Sequence, residues 1–74
     1  MKEMIIKLGT IQDIKDFNRI VEKYPFNIDL ISGRYTVDAK SLMGIFSLDL
    51  LGPITLVAHG EDAALFTELE KFKI

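Results

Sequence analysis

The chain has 74 residues, of which 49% are hydrophobic, and a formal charge of −2 at pH 7. That length fits one domain, residues 1–74, whose core must be dense because so short a chain buries only roughly 60% of its unfolded surface. The slight acidic excess argues against a nucleic-acid-binding protein, and the absence of cysteine excludes a disulfide framework and a cysteine metal site. No apolar run approaches the ~20 residues that span a bilayer, which argues against a membrane-spanning protein. We therefore expect a cytoplasmic protein with no nucleic-acid or membrane partner, no metal and no cofactor.

The first two elements are a strand and an amphipathic helix. Residues 4–8 place apolar side chains on one side in alternation, which is typical of a strand with one face on a core. The helix follows, because apolar side chains then recur at intervals of three and four residues. Its predicted buried stripe is Ile11, Ile14, Phe17, Val21 and Tyr24. Thr10 is placed to cap this helix, Asp13 to complete a variant of the capping box, and Pro25 to end it.

A hairpin is predicted next. Residues 26–31 and 34–39 are two strand candidates. The tight turn between them falls at residues 32–33, where Gly33 is free to adopt a positive φ.

Residues 41–48 form a densely apolar stretch without strict alternation, which favours a short helix capped by Ser41. A glycine inside it, Gly44, costs about 1 kcal/mol relative to alanine and calls for a reason. One reason is close packing of the helix on the sheet; the other is a docking surface, because a small domain cannot bury every side chain of an all-apolar helix. The side chains expected to be partly exposed are Leu42, Met43 and Phe46.

The last part of the chain contains a turn, a strand and a helix. Gly52 and Pro53 form the turn, residues 54–59 alternate as a fourth strand, and residues 60–62 begin a final helix. The buried stripe of that helix is Leu65, Phe66, Leu69 and Phe72. The pattern therefore predicts the order βαββαβα and a two-layer α/β plait.

Few residues in the sequence suggest catalysis. His59 is the only histidine and has no neighbouring partner in sequence, so we interpret it as a surface residue. The acidic pairs Asp13/Asp16 and Glu68/Glu70 are interpreted as solvated helix-face charges. We expect no catalytic residues, and the protein is not expected to be an enzyme.

Two segments resemble a known family. Residues 40–48, KSLMGIFSL, are similar to the regulatory serine segment of HPr, the phosphocarrier of the bacterial sugar phosphotransferase system. Residues 22–30, EKYPFNIDL, match the end of the first helix and the second strand of that family without a gap. The resemblance implies an α+β fold of the HPr type, an open-faced β-sandwich in which three helices cover one face of a four-stranded antiparallel sheet.

The resemblance also assigns roles to residues. It places Ser41 at the serine that an ATP-dependent kinase phosphorylates in Gram-positive relatives. It places Leu42, Met43 and Phe46 at apolar positions that contact partner proteins. The phosphocarrier site is degenerate, because Thr10 stands at the position of the phospho-accepting histidine and Gln12 at that of the arginine.

The resemblance therefore implies an HPr-like regulatory or binding protein related to the phosphotransferase system, with Ser41 as a possible phosphorylation switch and no histidine relay. Its expected partners are proteins, such as an HPr-type serine kinase or a transcription regulator. One alternative is a phosphocarrier with a non-standard acceptor, which would require His59 to lie close to Thr10. Another is a structural interaction module in which both phosphorylation sites have lost their function.

Overall fold

The structure, a computed structural model, describes residues 2–74. The strands are β1 (Lys2–Ile6), β2 (Ile28–Ser32), β3 (Tyr35–Asp38) and β4 (Ile54–Ala58), and the helices are α1 (Ile11–Val21), α2 (Leu42–Phe46) and α3 (Ala63–Glu68). The strands form one antiparallel sheet in the order β1-β4-β2-β3. The predicted α+β class, the order βαββαβα and the helical layer on one face of the sheet are confirmed.

The core lies between the sheet and the helices. Leu30 pairs with Leu56 in β4 and with Val37 in β3, which gives one continuous apolar row across the sheet. Phe17 of α1 is fully buried and its ring meets that of Phe72 edge to face, with the centroids 5.9 Å apart. The inward positions of every strand thus meet the apolar stripes of the helices. None of the helices in residues 2–74 is long and apolar enough to cross a membrane.

The first helix begins where the sequence predicts, but fewer of its apolar side chains are buried than predicted. The Thr10 hydroxyl accepts the backbone N–H of Asp13 at 3.0 Å, which confirms the cap. Ile11, expected in the core, is 63% exposed because the first helical residue lies beyond the contact with the sheet. Tyr24 is buried but lies past the end of the helix, which stops at Val21.

Tyr24 links the end of α1 to α3. Its hydroxyl donates to the Glu68 carboxylate, and this bond is the main cause that raises the pKa of Tyr24 to about 12. The ammonium of Lys23 also donates to Glu68. The bonds from Lys23 and from Tyr24 both lower the pKa of the Glu68 carboxyl. The segment directly after α1 is therefore held to α3 by polar contacts on one carboxylate.

Several boundaries differ from the predicted ones because pairing decides where a strand ends. β1 starts at Lys2, which pairs with Ala58, and its ladder with β4 closes at Ile6. The hairpin is closed by Ser32 and Tyr35, so its turn is at residues 33–34 and not 32–33. Gly33 has the positive φ that the prediction assigned to it, 59°.

The last helix starts later and ends earlier than its apolar stripe indicates. Asp62 caps α3 by accepting the N–H of Ala64, and the chain tightens into a 3₁₀ turn over Glu70–Phe72. Leu69 and Phe72 remain buried, whereas Phe66 is only partly so. The 3₁₀ turn brings the chain back to β1, where Lys7 N–H donates to the carbonyl of Phe72 at 2.9 Å.

Candidate functional site

The short helix α2 is positioned by two contacts. The hydroxyl of Ser41 accepts the N–H of Gly44 at 3.1 Å, which confirms the predicted cap. Ile45 is fully buried beneath the helix. A Cβ on Gly44 would lie 3.3 Å from Cβ of Val37, tighter than ordinary van der Waals contact. The packing explanation of the glycine is therefore correct, because Gly44 lets the helix lie directly on β3.

The same helix leaves its other apolar side chains at the surface. Met43 is 80% exposed, Phe46 44% and Leu42 38%. The sequence predicts this exposure, and it coexists with the close packing of Gly44 on β3. The two explanations offered for the segment thus apply to opposite sides of one helix.

The exposed apolar surface continues from α2 to the N-terminus of α1. One shallow groove is lined by Leu8, Gly9, Thr10, Ile11, Ile14, Phe46, Leu50 and Leu51. Within it, Leu51 is 87% exposed and Ile11 63%. We refer to Ile11, Leu42, Met43, Phe46 and Leu51 as the α1–α2 patch. Monomeric proteins rarely expose a contiguous apolar patch of large side chains without a binding role.

The sequence interpretation missed two members of the patch. Ile11 follows the helical period and is predicted to lie in the core, whereas Leu51 belongs to none of the predicted elements. The pair of leucines at positions 50 and 51, directly before Gly52 and Pro53, was the available signal, because a turn leaves such side chains little core to enter.

Thr10 lies in this groove with no cationic side chain among its lining residues. Its hydroxyl is engaged as the helix cap, and Asp13 Oδ2 accepts the N–H of Gly9 at 3.2 Å. Gln12 turns along the helix and donates to Asp16 Oδ1 at 2.9 Å. The site thus presents a hydroxyl and an adjacent carboxylate, whereas a bound phosphoryl group is stabilised by cationic donors.

His59 lies at the opposite end of the sheet. It follows Ala58, which pairs with Lys2, whereas Thr10 shares its groove with Leu51 near the other end of β4. The two residues are separated by roughly the length of that strand, ~13 Å at ~3.3 Å per residue. The proximity of His59 to Thr10 that the alternative phosphocarrier would require is therefore not found. The imidazole Nε2 instead lies 2.7 Å from the carboxylate of Asp29 on the open face of the sheet.

Ser41 is exposed, and hydrogen bonds hold the loop before it. The N–H of Ser41 donates to the carbonyl of Asp38 at 3.0 Å. Asn18 of α1 donates to the carbonyl of Lys40 at 3.1 Å, while the Lys40 ammonium reaches the carbonyl of Tyr24. The backbone around the hydroxyl is thus fixed, and Ser41 directly precedes Leu42 at the start of α2.

No cluster of three or more potential metal-ligating side chains occurs within residues 2–74. The arrangement instead combines an exposed apolar surface, a capped helix start at Thr10 and a hydroxyl at Ser41. These features support recognition of a protein surface more directly than they support bond-making chemistry.

Comparisons with known proteins place this geometry in a familiar fold. No protein-family model matches the sequence, and a search of curated proteins finds no match. Among solved structures, HPr-C-His from Thermoanaerobacter tengcongensis aligns with a TM-score of 0.82 and 25% identity, over 96% of this chain and 89% of that one.

Two further structures are similar. A histidine-containing phosphocarrier protein from Mycoplasma has a TM-score of 0.72 and 19% identity, over 95% of this chain and 86% of that one. The phosphocarrier protein HPr from Bacillus anthracis str. Ames has a TM-score of 0.69 and 24% identity, over 95% and 89%. The fold of this chain is thus that of the HPr phosphocarrier proteins.

Proposed function

We propose that residues 1–74 act as one HPr-like regulatory or binding domain related to the phosphotransferase system. In this proposal the α1–α2 patch docks partner proteins and phosphorylation of Ser41 changes that docking. The observation that carries it is the groove in which Phe46 of α2 lies beside Thr10 and Ile11. Leu42 and Met43, which follow Ser41 in the same short helix, are also exposed.

The proposal includes no phosphoryl relay. In phosphocarriers the group is held on imidazole as a readily transferred species, whereas a phosphate on the Thr10 hydroxyl would be a stable ester. Gln12, at the position that the resemblance gives to the arginine, carries no charge and is held by Asp16. His59 is too far away to act at this site. A phosphocarrier with a non-standard acceptor at this groove is therefore the weaker alternative.

Phosphorylation of Ser41 would act by changing the chemistry at the rim of the patch. It adds about −1.5 to −2 charge and three acceptor oxygens beside Leu42. A partner that covers the patch with an apolar surface would then bind less well, and one that offers an arginine would bind better. Partners of both kinds are expected, an HPr-type serine kinase that binds the unmodified chain and a regulator that reads the phosphoserine.

The first experiment measures intact mass after incubation with ATP and an HPr-type serine kinase. One added phosphate is expected, and none in Ser41→Asn. Asparagine is the matched control because it keeps a side-chain acceptor for the N–H of Gly44, whereas alanine also removes the cap. No added phosphate from a kinase that is active on an ordinary HPr would contradict the switch and favour a binding module without it.

A second experiment tests the patch. Met43→Asp is expected to weaken binding of the kinase by at least about tenfold, because the substitution places a charge in an apolar contact surface. Ile74→Asp makes the same kind of change at a side chain that is exposed but lies outside the patch. Equal binding by these two variants would show that the α1–α2 patch is not the docking surface.

A further inference from the structure

The two edges of the sheet differ in how far their backbone groups are hydrogen-bonded. The edge of β1 is covered in part, because the N–H of Lys7 donates to the carbonyl of Phe72 and the N–H of Ile74 to the carbonyl of Ile5. Strand β3 is the last strand on the other side, and in residues 2–74 no segment pairs with its outer edge. Natural proteins protect such an edge by keeping the strand short, or with charged side chains, proline, a bulge or a covering segment, and β3 is short, with four residues. Residues 35–38 contain neither lysine nor proline.

The hydrogen-bonding groups of this edge can be assigned. A two-residue turn is closed by Ser32 and Tyr35, and the N–H of Ala39 donates to the carbonyl of Ile28 at 2.8 Å. Tyr35 and Val37 therefore direct their backbone groups towards β2, because the direction alternates along an antiparallel strand. The N–H and C=O of Thr36 and the N–H of Asp38 consequently point outward. The carbonyl of Asp38 is already used by Ser41.

The charges along the edge are complementary to those of a second copy of itself. Consider two β3 strands paired antiparallel about a two-fold axis through Thr36. The register then places Arg34, the turn residue directly before β3, opposite Asp38 of the second copy. On the helical face it places Tyr35, which is 70% exposed, opposite Val37 of the second copy. Opposite charges and aromatic–β-branched pairs are both favourable cross-strand neighbours.

The same register also satisfies the backbone. Thr36 exchanges N–H···O bonds with Thr36 of the second copy, and each Asp38 N–H donates to the carbonyl of Arg34 of the second copy. The Arg34 carbonyl also points outward, because it is trans to the Tyr35 N–H across a planar peptide bond and that N–H is directed towards β2. The pairing therefore requires no change in the ladder with β2. If the register between the two copies shifted by one residue, the outward groups of one β3 would face residues of the other β3 whose backbone groups already bond β2. The shift would also remove both charge pairs.

We propose that this protein self-associates through the β3 edge, with two copies pairing antiparallel about Thr36 into one continuous sheet. The contact is short and so forms a weak, concentration-dependent dimer rather than an obligate one. The proposal does not depend on the proposed function, because the contact is made by the edge of the sheet and not by the α1–α2 patch.

Sedimentation equilibrium of the full chain over a wide concentration range tests this. The wild type is expected to shift from monomer to dimer as concentration rises. Thr36→Pro should remain monomeric, because proline removes the outward N–H while leaving the ladder with β2 intact. A wild type that stays monomeric up to millimolar concentration would overturn the proposal, as would a Thr36→Pro variant that dimerises like the wild type.

A charge-exchange experiment tests the register. Arg34→Asp and Asp38→Arg should each dimerise about tenfold less well than the wild type, because like charges then face one another at both ends. An equimolar mixture of the two variants should regain dimerisation, since every position 34 then meets an opposite charge at position 38. Arg19→Asp is the matched control, because it makes the same charge change at the chain's other arginine, which lies on α1.

Failure of the mixture to exceed either variant alone would overturn the paired register. The circular dichroism of each variant is recorded alongside, because Asp38 also accepts the N–H of Lys40 at 2.9 Å and its replacement removes that turn contact. If Asp38→Arg is not folded, Asp38→Asn paired with Arg34→Gln replaces the exchange. Both neutral variants should then dimerise less than the wild type, and unchanged dimerisation would refute the charge pairing.

Discussion

Replacing Gly60 by alanine tests how tightly the turn after β4 is packed. A Cβ at this position would lie 2.3 Å from Cγ and Cδ2 of Phe26 and 2.8 Å from its Cβ. Because the overlap includes the root of the phenylalanine side chain, rotation of the ring cannot relieve it and the backbone must move. Such overpacking costs about 1–3 kcal/mol, while loss of glycine freedom in the unfolded chain offsets about 0.4–1 kcal/mol. We expect Gly60→Ala to lower the free energy of unfolding by about 1–2 kcal/mol.

Gly52→Ala is the matched control, because a Cβ there meets no atom within 4 Å and Gly52 has no positive φ. We expect this variant to be as stable as the wild type or up to about 1 kcal/mol more stable. Urea denaturation gives both values, and in a domain of this size the Gly60 variant should melt roughly 4–16 °C lower.

A double-mutant cycle shows whether Phe26 is the cause. In a Phe26→Ala background, Gly60→Ala should destabilise much less, because the overlaps with Cγ and Cδ2 are gone and only the overlap with Cβ of residue 26, at 2.8 Å, remains. Equal unfolding midpoints for Gly60→Ala and Gly52→Ala would refute the packing argument. So would a cost of Gly60→Ala that stays the same when Phe26 is alanine.

Three further predictions concern single polar contacts. Ser41→Ala should lose about 1 kcal/mol of stability through loss of the cap on the N–H of Gly44, and Ser41→Asn should lose much less, as measured by urea denaturation. Glu68→Gln should be less stable than the wild type near pH 7. That difference should hold above the ordinary carboxyl pKa of 4.5 and disappear as the pH falls further, because the folded state lowers the pKa of Glu68. Tyr24→Phe should also be less stable than the wild type at neutral pH. The difference should persist below pH 10.0 and vanish as the pH rises towards the folded-state pKa of about 12.

Each of these three predictions can be contradicted by a specific result. Equal stability of Ser41→Ala and Ser41→Asn would mean that the cap contributes nothing measurable. A Glu68→Gln difference that grows on acidification, or a Tyr24→Phe difference that grows in alkali, would have the wrong sign for the contacts described. Thermal denaturation followed at a series of pH values distinguishes these cases.

The order and type of the elements could be predicted because they depend on local pattern. Period-two and period-3.6 apolar spacing, the caps at Thr10 and Ser41, and the glycine at position 33 are all properties of a few neighbouring residues. The two caps and the positive φ of Gly33 lie where the sequence predicts them. The exposure of Met43 and Phe46 could also be predicted, since a small domain has too little core for an all-apolar helix.

The strand boundaries and the exposure of some apolar side chains were decided by tertiary structure alone. Where β1 and the hairpin end depends on cross-strand partners such as Ala58 and Tyr35, which local pattern does not identify. Ile11 fits the helical period yet is exposed at the first position of α1, because burial depends on what packs against a side chain and not on its spacing alone.

The candidate site divides in the same way. Ser41 and the apolar residues of α2 lie next to one another in sequence, so their proximity could be predicted. Leu51 joins Thr10 and Phe46 only because the end of α2, the start of α1 and the start of β4 meet at one end of the sheet. Strand direction likewise separates His59 from Thr10. The type of each element and its cap could be predicted from neighbouring residues in the sequence. Which residues of different elements lie close together could not, because it depends on the antiparallel pairing of the strands. Chain topology, and not residue type, sets which ends of the strands meet.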